Sequence, residues 1–296
     1  MIYSKSKLFL ELKNKFDIKS IDVFETPDAA IYNVLAFILN TNINRLKLLS
    51  NIEISQDDLN RINEILDKMV NLKIPFQYIT GFVYLYNEKY NVNDKVLIPR
   101  SDTELLIENA INIINKNNYS KMLDLCTGSG CIGISVAKNS NIKEVHLIDI
   151  SNEAIEVANS NIKLNNISTK CKSFVSDLFE NLVDLNEKYD IITANPPYIT
   201  KEEYEELSPF VKNEPYIALV AEDDGLDLYK KIAEQAQNYL NAGGTLMFEI
   251  GYKQGEAVRG ILNQYDCFTN IKVYKDLNSK DRVISCRFQS KLNKKF

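Results

Sequence analysis

The chain has 296 residues, of which 45% are hydrophobic and 25% charged, with a formal net charge of −5. That length accommodates one or two domains with a substantial buried core. The acidic balance excludes a protein that coats DNA or RNA through a global basic field, so no stable nucleic-acid partner is expected. Five scattered cysteines form no C-x-x-C pair, and the single histidine completes no Cys/His zinc set. No metal site is therefore expected, and reduced thiols point to a cytoplasmic location. The N-terminus lacks the apolar core of a signal peptide, and the apolar run Val34–Leu39 is far too short to span a bilayer, so no membrane role is expected.

In chain order, the first third reads as a small helical bundle. Ile31, Val34, Leu35 and Ile38 recur at helical spacing behind Thr26-Pro27-Asp28. Ser55 is the expected N-cap of a second helix whose stripe is Leu59, Ile62, Leu66 and Met69. After Pro75 the texture changes to Phe82–Tyr86 and Tyr90–Val92, a predicted hairpin turning at Asn87-Glu88-Lys89. Ser101 and Glu104 stand in the capping-box relation, so a helix is expected through Ile107, Ile111 and Ile114. These signals divide the chain into a helical domain over 1–73, a hairpin linker over 74–98 and a third domain over 99–296.

From Lys121 strands and helices alternate. Strands are predicted at Met122–Leu125, Val145–Ile150, Ser173–Val175, Ile191–Ala194 and Thr245–Ile250. Helices are predicted at Ile132–Lys138, Ala154–Leu164, Leu226–Leu240 and Glu256–Gln264, with two final strands at Ile271–Tyr274 and Val283–Phe288. Such alternation implies an α/β fold, a parallel sheet covered on both faces that binds ligands at the carboxyl ends of its strands.

Four of those strand ends carry chemistry. After the first comes Asp124-Leu125-Cys126-Thr127-Gly128-Ser129-Gly130-Cys131-Ile132-Gly133, which satisfies the G-x-G-x-x-G pattern between a strand and a helix. Asp149 ends the second strand, placed to accept from a ribose diol. Asp177 and Leu178 follow the third, suited to an adenine amine and its ring. Asn195-Pro196-Pro197-Tyr198 follows the fourth. Alone, that tetrad is equally compatible with a proline-rich loop that stops a strand. As a receptor, Asn195 Oδ1 and the Pro196 carbonyl would accept both hydrogens of a planar NH2 group, and Tyr198 would lie against it.

The glycine loop does not itself choose between a nicotinamide dinucleotide and S-adenosylmethionine. A carboxylate at Asp124 would repel a diphosphate, yet suits a nearby ammonium or sulfonium. A nicotinamide oxidoreductase would also need an acid or base for the alcohol proton, usually His or Lys, and the one histidine, His146, falls inside a strand. Both readings stand at this level, with S-adenosylmethionine favoured.

Together these residues resemble the bacterial protein-(glutamine-N5) methyltransferases that modify peptide-chain release factors. The resemblance spans Tyr78–Gly81, Leu97–Glu104, Asp124–Gly130, Asn195–Tyr198, Glu214-Pro215, Phe248–Gly251, Gln254-Gly255 and Asp281–Val283. It implies a seven-stranded, Rossmann-like class I S-adenosylmethionine-dependent methyltransferase sheet preceded by a small helical bundle. It implies S-adenosylmethionine contacts at Cys126, Thr127, Gly128, Ser129, Gly130, Asp149, Leu178 and Asn195, with Asp177 beside them. The substrate glutamine, in the Gly-Gly-Gln motif of class I release factors, would be held by Asn195, Pro196, Pro197 and Tyr198. The helical domain would help engage that protein, with the enzyme acting as a cytoplasmic monomer. The tetrad is shared with enzymes that methylate DNA adenine or RNA guanine, so those acceptors, and a ribosomal-protein glutamine, are the alternatives. Two positions depart from the family's pattern: Cys126, commonly glycine, which a negative φ would accommodate, and Leu178, aromatic in some relatives.

Overall fold

The computed structural model describes residues 1–21, 26–185 and 187–290. Positions 22–25, 186 and 291–296 of the expected domain spans lie outside the described residues. Contacts divide the chain into two units, Met1–Gly81 with Leu207–Asn213, and Phe82–Glu206 with Glu214 onward.

The first unit contains helices at Lys5–Lys15, Pro27–Ile38, Ile43–Leu48, Gln56–Leu72 and Phe76–Thr80. A short antiparallel pair, β1 (Ile2–Ser4) and β2 (Asn51–Glu53), accompanies them. The sequence caps form as expected: Thr26 Oγ1 accepts from Ala29 N at 3.3 Å and Ser55 Oγ from Asp58 N at 3.0 Å. Each satisfies a backbone donor that the first helical turn leaves free. Leu8, Leu12, Val34, Leu35, Ile62 and Met69 fill the core, and Phe210 is buried with them. Asn213 Nδ2 donates to the Lys73 carbonyl at 2.9 Å, so the segment 207–213 belongs to this unit. Nothing in local pattern announces that membership, because it depends on partners far away in the chain.

In the second unit a hairpin of β3 (Phe82–Leu85) and β4 (Glu88–Asn91) comes first. The sheet strands are β5 (Lys121–Leu125), β6 (Glu144–Asp149), β7 (Cys171–Val175), β8 (Tyr189–Ala194), β9 (Leu240–Glu249), β10 (Phe268–Lys275) and β11 (Asp281–Phe288). Their spatial order is β10-β11-β9-β8-β5-β6-β7, with β11 antiparallel to both neighbours and the run from β9 to β7 parallel. Adjacent residues of the central strands feed opposite cores: Leu123 and Ile192 one way, Met122 and Ile191 the other. Helices Thr103–Asn117, Cys131–Asn139 and Asn152–Leu164 cover the second face, and Asp227–Ala236 and Gly255–Asn263 the first. Burial on both faces is why these strands read as near-continuous apolar runs. Among the described residues no helix is long and apolar enough to cross a membrane.

Three local expectations are corrected. The hairpin turns at Tyr86-Asn87, not Asn87–Lys89, with φ of 49° and 64°. Positive φ at both central residues matches the twist of the flanking strands. The Ser101/Glu104 capping box does not form, because Glu104 Oε1 accepts from the hairpin's Tyr86 N at 2.9 Å instead. The helix that follows starts at Thr103. The helix expected to reach Leu240 ends at Ala236, since Leu240 must pair with Tyr189 as β9 begins.

The hairpin expected as a linker docks on the helices beside the glycine loop. Tyr90 Oη and Ser135 Oγ lie 2.6 Å apart, and Asn161 Oδ1 accepts from Asn91 N at 2.6 Å. Buried Asn161 also donates to the Ser129 carbonyl at 2.8 Å, which ties the hairpin to the loop.

The closest packing in this region is at Gly133, where an added Cβ would stand 2.2 Å from Leu147 Cδ2 and 3.1 Å from Val145 Cγ1. Gly133→Ala is expected to lower stability by on the order of 1–2 kcal/mol, overpacking outweighing the gain in helix propensity. Urea unfolding checks this, and an equal or higher midpoint would contradict the packing.

Candidate active site

The carboxyl ends of β5, β6, β7 and β8 surround one cavity of about 320 Å³. Cys126, Thr127, Gly128 and Ser129 line it after β5, Asp149 at β6, Asp177 and Leu178 after β7, and Asn195 and Pro197 after β8. The structure therefore brings together most of the residues singled out from sequence. Gly130 does not reach the cavity surface; it caps the helix Cys131–Asn139 with φ of 80°. Pro196 is buried beneath the rim, and Tyr198 packs against the sheet's apolar core. The tetrad is seated closely: a Cβ on Gly225 would come 2.2 Å from the Tyr198 carbonyl, to which Gln254 Nε2 donates at 3.2 Å.

The loop after β5 is held from below by Asp124, whose side chain is fully buried. Its Oδ2 accepts from Thr127 Oγ1 at 2.6 Å and Gly133 N at 3.3 Å, and its Oδ1 from Thr193 Oγ1 at 2.6 Å. Burial pushes the carboxyl up to about 6, against the pull of those three donors. The expectation that Asp124 faces a ligand cation is corrected: it is wholly buried off the cavity wall, with its oxygens turned to the loop and to β8. Asp149 does face the cavity. It accepts from Gly128 N at 2.8 Å and Ser151 N at 3.0 Å, and a carboxylate has acceptor capacity left for a diol.

Cys126 does not take the negative φ expected of it. Its φ is 54°, and Leu178 has 45°. Both side chains sit in the left-handed region, which costs roughly 1–2 kcal/mol per non-glycine residue. Glycine at position 126 would avoid that strain. The Cys126 thiol is driven well above its usual range by burial and by Asp149, Asp124 and Asp177, so it stays neutral and is no nucleophile. His146 is 3% exposed, between Tyr189 Oη at 2.9 Å and Glu144 Oε1 at 3.0 Å. It belongs to the sheet interior and not to the site.

Several positions on or behind the cavity wall lie in stretches that carry the resemblance but were assigned no role from sequence. Thr103 and Arg100 line the cavity, and Glu214 holds that segment by accepting from Ile98 N at 3.0 Å and pairing with Arg100. Glu249 is 4% exposed, with its carboxyl raised to about 7, chiefly by burial. A further signal was available: Glu249 ends a parallel strand on the same rim as Asn195.

The cavity wall fits an adenosyl amino acid. It offers the Cys126–Ser129 backbone at a helix N-terminus for a carboxylate, Asp149 for a diol, and Ile150 and Leu178 for a flat base. Four carboxylates (Asp149, Asp177, Glu222, Asp227) against three cations (Lys95, Arg100, Lys231) suit a ligand bearing positive charge better than a diphosphate.

Residues 101–213 match the family described as "Methyltransferase small domain". A release factor glutamine methyltransferase from Fusobacterium nucleatum subsp. nucleatum is 39% identical over 297 residues, covering 95% of this chain and 83% of that protein. Another, from Clostridium acetobutylicum, is 38% identical, covering 89% and 91%. Among solved structures, a methyltransferase from Pyrococcus furiosus superposes with a TM-score of 0.51 at 17% identity, covering 78% of this chain and 99% of that one. That last likeness concerns the fold.

Replacing Cys126 separates strain from packing. Cys126→Gly is expected to raise stability by up to about 1 kcal/mol, whereas Cys126→Val, β-branched at positive φ, loses about 2 kcal/mol. Chemical denaturation of the pair checks this, and a glycine variant clearly weaker than wild type would refute the strain.

Proposed function

This chain belongs to the release factor glutamine methyltransferase family, and from that premise we propose how its residues do the work. The enzyme uses S-adenosylmethionine as methyl donor and yields S-adenosylhomocysteine. The acceptor is the side-chain amide nitrogen of a release-factor glutamine, which we assign to the Gly-Gly-Gln motif of class I release factors. In this reading residues 1–73 engage the protein substrate, 74–98 link, and 99–296 carry the transfer. The enzyme works in the cytoplasm as a monomer. The observation that carries the reading is the placement of Asn195 on the wall of the same cavity as Asp149 and the glycine loop.

The bound donor supplies an electrophilic methyl carbon on a sulfonium. Cys126–Ser129, Asp149, Asp177 and Leu178 hold it through backbone groups, carboxylate acceptors and apolar cover. An amide nitrogen is almost non-basic, because its lone pair is delocalised into the carbonyl. The protein's task is therefore orientation more than deprotonation. Asn195 Oδ1 and the Pro196 carbonyl each accept one N–H of the glutamine, which turns the nitrogen lone pair toward the donor. Positioning of this kind is worth on the order of 7–11 kcal/mol of a barrier. The proton leaves after the C–N bond forms, so no base is needed beforehand. A glutamate in place of the glutamine brings no donors and sets its lone pairs against the same two acceptors, so the site rejects it. The nicotinamide alternative finds no histidine at the site, since His146 is enclosed by Tyr189 and Glu144.

Incubation with labelled methyl donor and a release factor, followed by mapping of the modified residue, tests the assignment; label on any residue but the motif's glutamine would overturn it. Asn195→Ala is expected to lower kcat by about 10²–10³-fold while still binding cofactor measurably. Near-normal turnover in that variant would end the mechanism. Asp149→Ala should weaken S-adenosylhomocysteine binding by about 10–100-fold, the loss of a charged hydrogen-bond acceptor. Calorimetry measures it, and an unchanged Kd would remove Asp149 from the site.

A further inference from the structure

Asn195 has a problem that its own position does not solve. The two ends of a carboxamide have nearly the same shape, and only the oxygen end accepts hydrogen bonds. Facing outward, the NH2 end would oppose the donors of an incoming glutamine amide. Some neighbour must select the end that faces the cavity.

Strand register supplies that neighbour. β8 and β9 run parallel with Ala194 opposite Phe248, so Asn195 and Glu249 are the next residues along each. Glu249 is held on both sides: Tyr229 Oη donates to its carbonyl at 3.0 Å, and Val283 of β11 pairs with it. Its side chain is almost wholly buried, and Oε2 has no hydrogen-bond partner among the described residues. Thr103 and Asn195, both on the cavity wall, are side chains that draw this carboxyl toward its ionised form. Glu249 itself is not on that wall, so it acts from behind Asn195.

We propose that Glu249 is a positioning residue that grips the Asn195 amide by its NH2 end and keeps Oδ1 turned toward the acceptor glutamine. This rests on the amide-methylating reading above. An ionised carboxylate only accepts, so it draws the NH2 end inward and leaves the oxygen outward. A protonated carboxyl carries an O–H, which Asn195 Oδ1 can accept by turning inward, and the receptor is then reversed.

The electrostatic surroundings make that exchange accessible near neutrality. Burial pushes the Glu249 carboxyl up to about 7, Asp102 adds to the rise, and Thr103, Arg282 and Asn195 oppose it. The phenols of Tyr198 and Tyr229 also face it, and burial drives both above their usual range, so they remain neutral. A carboxyl with a raised pKa becomes ionised as pH climbs through that raised value. The productive orientation is therefore gained on going from acid to alkaline pH and lost in the reverse direction.

Glu249→Gln tests this, because glutamine keeps the shape but neither titrates nor acts purely as an acceptor. Wild-type kcat should rise with pH around a midpoint near 7. In E249Q that limb should be absent, with kcat about tenfold lower at alkaline pH and the S-adenosylhomocysteine Kd within about twofold. A second readout is independent of turnover: NMR of protein labelled at Glu carboxyl and Asn side-chain amide positions. The Asn195 NH2 resonances should shift with the same midpoint as Glu249 and lose that titration in E249Q. An unchanged acid limb in E249Q, or Asn195 resonances indifferent to Glu249, overturns the proposal. A wild-type enzyme that leaves the release-factor glutamine unmodified defeats the functional reading alone, and the NMR coupling then decides this one.

Discussion

The Asp124 carboxylate joins three pieces of the cavity's surroundings in one place. Fully buried at the end of β5, it accepts from the glycine loop at Thr127, from the following helix at Gly133, and from the neighbouring strand at Thr193. Thr193 lies two residues before Asn195, so one buried group sets the loop proposed to cradle the cofactor against the strand proposed to present the amide receptor. A buried carboxylate is tolerable only when its lone pairs are satisfied, and here the three donors that satisfy it are also the parts to be aligned. Removing any of them leaves a desolvated acceptor, which gives the arrangement its rigidity.

Around that knot the rim is built from strand ends, not from long loops. Parallel strands fix the relative heights of Cys126, Asp149, Asp177 and Asn195 through register, and register is set by the cores on both faces. The strained residues, Cys126 and Leu178, sit where the backbone must turn sharply off a strand to line the cavity. Strain of that kind persists only where the surrounding packing over-determines the conformation. Here the sheet interior and the buried Asn161 bridge provide that support.

The two buried acids of this unit serve different ends. Asp124 is fully hydrogen-bonded and holds structure, whereas Glu249 keeps one oxygen without a partner and stands behind Asn195. Burial raises both, yet only the second stands beside Asn195, the proposed amide receptor. The contrast separates a carboxylate that braces a fold from one available to steer a neighbour.

The sheet was legible from sequence because strands buried on both faces must be apolar throughout, and their intervening helices must show a 3.6-residue stripe. The cavity residues at the ends of β5 to β8 were legible for a related reason: a polar residue that ends an apolar strand stands at the sheet's rim. What stayed hidden depends on partners distant in the chain. Glu104 forms the expected local cap only if no better donor competes, and the hairpin's Tyr86 N is that donor. Asp124 resembles a ligand contact until Thr193 is brought beside it. Phe210 joins the helical core from a segment far along the chain. By itself, then, the amino-acid order determined most of the sheet's strands and helices, which polar residues stand at the strand ends, and the family, since these rest on periodicity and short motifs. Tertiary structure alone decided which polar groups face the cavity and which are consumed inside the protein, because a hydrogen bond is assigned by proximity in space and not along the chain.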